Sequence, residues 1–455
     1  MQWYKEFSSR EKKTFWSCFA GWALDGVDTQ MFSLVIPALL ATWAVSKGEI
    51  GLIASLTIAA GAIGGLLAGV ISDRYGRVRT LQIAVIWFSL FTFLSAFAQN
   101  FDQLLILKSL QGIGFGGEWT AGAVLLSETI SARHRGKAMG LVQSAWGLGW
   151  GGAVVLYMVV FSWLPPEWAW RVLFMIGAVP AVLVLYLRRN LTEPTRSVTQ
   201  PGDKPVGVTL GIFDRSVLRM TIVGGLIGVG AHGGYHAISI WLPTYLITER
   251  HMSTLGAGAS LAIVILAFIV GCFVSAYLQD RIGRRKNMMF FAAGCILTVN
   301  MYVFLPMSNT EMLMLSFPLG LFSAGIPATL GALFSEMYPQ NVRGRGVGFC
   351  YNFGRIVSAG FPFAVGRMSS SMPLGTALGI AAGIAYGLVI VIVYFLPETK
   401  GRSLIEKSSG HPAAHSSSVE NGIAPAIHSV GVGVGVGVGA SDKDSDLAQA
   451  VKFSN

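Results

Sequence analysis

The chain has 455 residues, 53% of them hydrophobic and 12% charged, with a formal net charge of +10. Soluble domains carry about 25% charged residues, so the composition excludes an ordinary soluble fold, in keeping with a mean hydropathy of +0.59. Lys and Arg fall in short clusters between apolar runs and not along one face, which argues against nucleic acid as a partner.

Twelve apolar runs follow in chain order, at 15–40, 49–71, 80–98, 102–126, 137–161, 170–188, 218–247, 256–278, 288–306, 311–334, 345–370 and 374–396. A helical span of a bilayer takes about 20 residues. The runs are continuous and lack the period-two alternation of barrel strands, so each predicts a transmembrane helix. Lys5, Arg10, Lys12 and Lys13 precede the first run. That run is longer than a signal-peptide core and no small-residue cleavage site closes it, so it is expected to be retained. The longer, more polar gap at 189–217 divides the spans six and six. The expected architecture is an all-α membrane protein: a cytoplasmic segment 1–14, a six-helix bundle 15–188, a cytoplasmic linker 189–217, a second six-helix bundle 218–396 and a tail 397–455. The tail is rich in Ser, Ala and Gly and contains "GVGVGVGVG", which predicts disorder from about 407.

Span 1 contains "GWALDGVDTQMFSLVIPALL", with Asp25 and Asp28 three apart. At a rise of 1.5 Å per residue, the bilayer middle lies roughly 10–14 residues into a span, where both acids sit. Their spacing puts them on one helix face. A charge at that depth is a functional-site hypothesis by default. Desolvation and a like charge nearby both disfavour ionisation of a carboxylate, so the pair is a candidate proton carrier. The plainer alternative is an acid that only holds helices together. Gly26 between them allows close helix contact.

The turn after span 2 reads "GVISDRYGRVR", with Gly69, Asp73, Arg74, Gly76 and Arg77. Span 4 carries Lys108 and then "GIGFGGEW", Gly112 to Trp119. The glycines would admit a neighbouring helix closely. The string is no dinucleotide loop, because no strand precedes it. Glu118 is the third membrane acid, either a second proton site or a structural partner of Lys108 or of half-buried backbone. Span 7 carries His232 and His236 on one face. No third ligand accompanies them, so a proton relay, a substrate hydrogen bond or simple packing is expected in preference to a metal. Span 11 carries Tyr351, Asn352 and Arg355. An isolated cation at the depth of Arg355 needs an anion, either a substrate carboxylate held bidentately or a fixed acid such as Asp25 or Asp28. Asn352, one turn earlier, could add a hydrogen bond, and Trp119, Trp146, Trp150 and Tyr351 could line an aromatic pocket. The four cysteines lie within apolar runs and have no metal-ligand spacing.

The two halves repeat. "DRYGRVR" begins at Asp73 and "DRIGRRK" at Asp280, an offset of 207; "SETISARHRGKAMG" begins at Ser127 and "SEMYPQNVRGRGVG" at Ser335, an offset of 208. The same offset maps Asp25 onto His232. A repeat of this kind places a substrate site near mid-membrane between the halves. Lys and Arg cluster in the loops on the N-terminal side, including Arg74, Arg77, Arg281 and Arg284, while the opposite loops hold few cations, such as Lys47 and Arg250. Both termini are therefore expected to be cytoplasmic.

At these residues the chain resembles the major facilitator superfamily. The resemblance rests on Gly69, Asp73, Arg74, Gly76 and Arg77, on the second copy Asp280, Arg281, Gly283 and Arg284 (with Ala276 in place of the glycine), and on "LPETKGR" after span 12. It covers residues 1–405 or so. It implies a fold of two pseudo-symmetric six-helix bundles, and it implies that the acid–Arg loop motifs work as gates. "DGVD" in span 1 is similar to aromatic-acid and sialate proton symporters. "GIGFGGEW" resembles the sialate and metabolite branches. In that family the span-4 cation is usually Arg, which implies a substrate-binding place for Lys108, although a Lys there cannot clamp a carboxylate with two parallel bonds. The expected protein is a multi-pass monomer of the cell membrane, with no metal or organic cofactor. It would bring a small organic anion, an aromatic or sugar acid for example, into the cell with protons as coupling ion. A sugar or polyol transporter and a non-transporting sensor are the rivals. No nucleophile–base set points to an enzyme.

Overall fold

The computed structural model describes residues 2–131, 134–178, 181–182, 189, 191, 210–339 and 342–398. Most of the linker, the end of span 6 and the tail lie outside the described residues, as do the side chains of Asp73 and Trp119. All the regular structure among the described residues is helical. After a short helix Gln2–Lys5 come α1 (Ser9–Thr42), α2 (Lys47–Tyr75), α3 (Arg77–Ser95), α4 (Phe101–Thr129), α5 (Arg135–Trp163) and α6 (Pro166–Ala178). The second half holds α7 (Arg215–Thr248), α8 (Thr254–Ile282), α9 (Arg284–Phe304), α10 (Asn309–Met337), α11 in two pieces (Arg343–Ser358 and Gly360–Met368) and α12 (Leu374–Tyr394). Among the described residues nine helices are long and apolar enough to cross a membrane by themselves. The other three are α4, which carries Lys108 and Glu118, the partly described α6 and the divided α11.

Local chemistry sets the helix ends. Ser8 with Glu11, Ser46 with Glu49, and Ser308 with Glu311 form reciprocal capping boxes that start α1, α2 and α10. The box at Ser8 starts α1 two turns before its apolar run. The turns α2–α3 and α8–α9 each pivot on a glycine with positive φ, Gly76 at 98° and Gly283 at 95°. Only glycine takes this region without strain. The two positions are 207 apart, so the sequence repeat is a backbone repeat as well. These turns mark one face of the bundle, called here the motif face.

Large apolar side chains such as Ile63, Leu66, Val70, Phe273, Leu297 and Ile384 point outward. Water cannot accommodate so continuous an apolar surface, whereas acyl chains can. Trp163 is 85% exposed at the end of α5 away from the motif face, where an interfacial tryptophan is expected. Glycines set the close contacts inside each half. A Cβ at Gly26 would lie 2.6 Å from the Trp146 carbonyl oxygen, so α1 rides directly on α5. Gly112 and Gly116 of α4 press on the carbonyls of Thr57 and Gly61 of α2, while Gly114 meets Phe88 of α3.

The halves meet from mid-membrane to the face opposite the motifs. There α2 crosses α11, where a Cβ at Gly51 would fall 2.5 Å from the Pro362 carbonyl oxygen; α5 meets α8 at Gly147–Ile269 and at Met158–Gly258. Span 11, expected as one helix over 345–370, is broken at Ala359. Pro362 has no N–H to return to Ser358, and its ring crowds the preceding turn, so it is tolerated only in the first turn of a new helix. The break is tied down from outside. The Phe363 N–H donates to Ser55 Oγ of α2 at 3.1 Å, and Trp241 Nε1 of α7 donates to the Pro362 carbonyl at 3.0 Å.

Candidate functional site

The helix crossing of α7 and α11 builds the centre of the site. Gly228 and Gly354 meet backbone to backbone, and a Cβ at Gly354 would lie 2.5 Å from the Gly228 carbonyl carbon. His232 stands one turn beyond Gly228, and Arg355 follows Gly354. The crossing therefore brings the histidine and the arginine together. Arg355 is 9% exposed, and its guanidinium lies 5.3 Å from the centre of the Phe115 ring of α4. Gly61 of α2 leaves room for it, since a Cβ there would stand 3.8 Å from Nη2. Asp25 and the Tyr351 hydroxyl lie within electrostatic reach of the same guanidinium.

Aromatic rings wall this centre. His232 meets Tyr351 edge-on at 4.7 Å, and its Nδ1 is hydrogen-bonded to the Gly228 carbonyl at 3.0 Å. His236 lies 6.1 Å from the His232 ring and 5.6 Å from the Tyr235 ring. The Tyr235 hydroxyl accepts from Trp146 Nε1 at 3.1 Å and from Gln30 Nε2 at 3.3 Å, joining α7 to α5 and α1 across the two halves. Phe268 of α8 packs against both Tyr235 and Trp150, and Trp146 packs against Trp22 and Phe115.

Asp25 and Asp28 take different neighbours. Three residues turn a helix through 300°, which leaves the two side chains about 60° apart and facing different neighbours. Asp25 lies within electrostatic reach of Arg355 of α11. Asp28 accepts from Thr92 Oγ1 of α3 at 2.6 Å and from the Gln111 amide of α4. Gln111 in turn accepts from Lys108 Nζ, and the Lys108 ammonium lies over the rings of Phe174 at 4.6 Å and Phe32 at 5.4 Å. All three polar residues are buried. The structure thus ties Lys108 to Asp28 through Gln111. Glu118 is no partner of Lys108, because ten residues along one helix separate them by about 15 Å. Glu118 is buried and lines a small crevice with Cys18, Trp22, Gly122 and Val142 on the motif-face side. Asn352 turns its amide to the Gly348 carbonyl of its own helix at 2.9 Å.

At the motif face the arginines take partners beyond the acids of their own loops. Arg77 Nη1 donates to the Ser72 carbonyl at 2.6 Å, and Nη2 pairs with Glu128 at 3.4 Å. Arg284 pairs with Glu336 at 2.9 Å and Asp280 at 3.0 Å, and donates to the Gln279 carbonyl at 3.0 Å. Glu398, from the "LPET" stretch, accepts the Arg284 backbone N–H at 2.9 Å and fills the space a side chain at Gly283 would need. Arg74 and Arg281 lie over Tyr75 and Tyr277. Glu128 and Glu336 were legible in principle: they are the acids of the repeated "SE", at the same offset of 208. Both arginine–glutamate pairs close within their own half. Glu336 is 11% exposed at its side chain against 29% for Glu128. Charged hydrogen bonds contribute about 1.5–3 kcal/mol each, less where water competes. Arg284→Ala should therefore lower the melting temperature of the purified protein more than Arg77→Ala does. Equal melting temperatures would contradict this ranking.

Among the described residues no group of three His, Cys, Asp or Glu side chains could hold a metal. The arrangement as a whole presents a buried guanidinium, a neighbouring carboxylate and a ring of flat aromatic walls.

The family model described as Major Facilitator Superfamily matches residues 18–362. The "Probable 4-methylmuconolactone transporter" of Cupriavidus pinatubonensis is 40% identical over 418 residues, covering 91% of this chain and 96% of the relative. The "Cis,cis-muconate transport protein" of Acinetobacter baylyi is 28% identical over 373 residues, covering 80% of this chain and 89% of the relative. Among solved structures, a D-xylose-proton symporter superposes with a TM-score of 0.72 at 20% identity, covering 87% of this chain and all of that one.

Proposed function

The chain belongs to the Major Facilitator Superfamily, and from that premise we propose that it carries a small organic carboxylate into the cell with protons, by alternating access. The family makes it a multi-pass membrane transporter and not an enzyme.

Arg355 is the observation that carries it. A cation at mid-membrane costs roughly 2.5–3.5 kcal/mol on insertion scales, and a neutral sugar gives no return for it. A carboxylate does, through two parallel charge-assisted bonds. The two relatives named for muconolactone and muconate support an acid as cargo. The likeness to the xylose symporter carries the fold alone.

Coupling follows from Asp25. An ionised Asp25 and a substrate carboxylate compete for one guanidinium. Protonation of Asp25 frees Arg355 for the substrate, and by linkage substrate binding favours protonation of Asp25. Glu118, in its crevice toward the motif face, is placed in this scheme as a second proton site. Asp28, Gln111 and Lys108 hold α1 against α3 and α4. His232, Tyr351 and the aromatic walls surround the substrate. Trp119 and Asn352, expected at the site from sequence, stay in the proposal as flanking residues. The cation-rich motif face is assigned to the cytoplasm, with both termini, in the cell membrane. Asp73, Arg77, Asp280 and Arg284 form the gate on that side, and the protein works as a monomer.

Binding titrations test the reading. Purified protein should bind 4-methylmuconolactone acid and cis,cis-muconate but not xylose. Arg355→Lys keeps the charge but loses the planar fork, and Arg355→Gln loses both. A truncated buried charge contact costs about 2–5 kcal/mol, a fall in affinity of roughly thirtyfold or more. Full affinity in Arg355→Gln would overturn the carboxylate reading.

A further inference from the structure

The site carries a second polar position that the binding of one carboxylate leaves unused. His236 stands one turn beyond His232 on the same face of α7. Its Nε2 is buried and has no hydrogen-bond partner. Buried polar atoms in proteins are almost always paired, so an orphaned one in a binding site marks a missing ligand atom. Two neighbouring polar groups already have partners. His232 Nδ1 is taken by Gly228, and the Tyr235 hydroxyl is taken by Trp146 and Gln30. The His236 ring also lies within the field of the Arg355 cation. A positive field favours a ligand atom rich in electrons, so the group it would receive is an acceptor oxygen. Tyr235, Phe268 and His232 around it are flat, which suits a small ring.

We infer that His236 Nε2–H donates to a carbonyl oxygen on the substrate, so that the preferred cargo is a small cyclic acid with a second, uncharged oxygen such as that of a lactone. The inference rests on the proposal that Arg355 takes the carboxylate. It adds a specificity-determining residue and narrows the substrate class. An acid without the second oxygen would leave Nε2 unpaired, and a site built to hydrogen-bond a substrate group rejects analogues that lack it.

The test compares two ligands on the purified full-length protein. One is 4-methylmuconolactone, which carries a carboxymethyl group and a lactone carbonyl on a five-membered ring. The other is 1-methyl-2-cyclopentene-1-acetate, which keeps the ring, the methyl and the carboxymethyl group and lacks the lactone oxygens. The native protein should prefer the lactone acid by about tenfold or more, the worth of one good hydrogen bond to a buried donor. In His236→Phe, which keeps a flat ring and loses both nitrogens, the preference should vanish through weaker binding of the lactone acid alone. Unchanged binding of 1-methyl-2-cyclopentene-1-acetate shows that the variant is folded, and His236→Leu is read in the same way if His236→Phe does not fold. His236→Gln, whose amide can donate, should keep part of the preference. Equal binding of the two ligands by the native protein, or a native preference surviving in both His236→Phe and His236→Leu, overturns the inference. If both acids bind and both need Arg355, that result leaves the carboxylate reading standing. If neither acid binds, or if Arg355→Gln binds both fully, the carboxylate reading falls and this inference with it.

Discussion

Asp25→Asn is expected to abolish accumulation of substrate against its gradient while leaving exchange of labelled for unlabelled substrate intact. The reason is the shared guanidinium. In the native protein a proton must neutralise Asp25 before the substrate carboxylate gains Arg355 in full. An asparagine is permanently neutral, so Arg355 is always available and no proton need travel. Each pH unit of gradient is worth about 1.4 kcal/mol per proton, which is tenfold accumulation. Native protein in vesicles with an acid exterior should reach that level. Asp25→Asn should equilibrate and stop. Substrate binding should also weaken with rising pH in the native protein, because an ionised Asp25 competes for Arg355. In Asp25→Asn that dependence should be lost. Uphill transport by the variant equal to that of the native protein would remove Asp25 from coupling.

The second large effect concerns Lys108. Its ammonium and the Asp28 carboxylate share the Gln111 side chain, and both charges are buried. Removing one partner of a buried pair strands the other, at a cost of about 3–5 kcal/mol. Lys108→Met should therefore lower the melting temperature sharply, and so should Asp28→Asn. The double variant has no stranded charge and should melt near the native value. It should also bind the acid substrate with native affinity, because Arg355 and Asp25 are untouched. A double variant no more stable than Lys108→Met would show that the two charges are not coupled. Loss of substrate binding in a stable double variant would return Lys108 to the substrate site, where the resemblance to Arg-bearing relatives first put it.

Different parts of this protein were legible in the sequence to different degrees, for physical reasons. The spans were legible because a bilayer requires long apolar runs and nothing else forms them. Arg355 stood out because depth alone makes a cation improbable there without a use. The repeat foretold the twin turns, since Gly76 and Gly283 share an offset with the motifs around them. The division of labour between Asp25 and Asp28 was hidden. A spacing of three fixes the angle between two side chains but not which helices they face. The encounter of His232 with Arg355 was hidden as well. It depends on Gly228 meeting Gly354 across 126 residues of chain, a contact no local pattern encodes. The break in α11 had its signal in "SAGFP", yet composition over a window averages a single proline away. Glu128 and Glu336 were overlooked although the repeat contains them, because an acid beside each arginine in the same loop offered a nearer partner.

The central claim is that this transporter moves a carboxylate held by Arg355 and driven by protons. Reconstituted vesicles under an inward proton gradient test it most directly, with labelled 4-methylmuconolactone acid and labelled xylose offered in parallel. The account predicts uphill uptake of the acid, no uptake of xylose, collapse of acid uptake when the gradient is dissipated, and none at all in Arg355→Gln. Uptake of xylose without the acid, or undiminished acid uptake in Arg355→Gln, would contradict it.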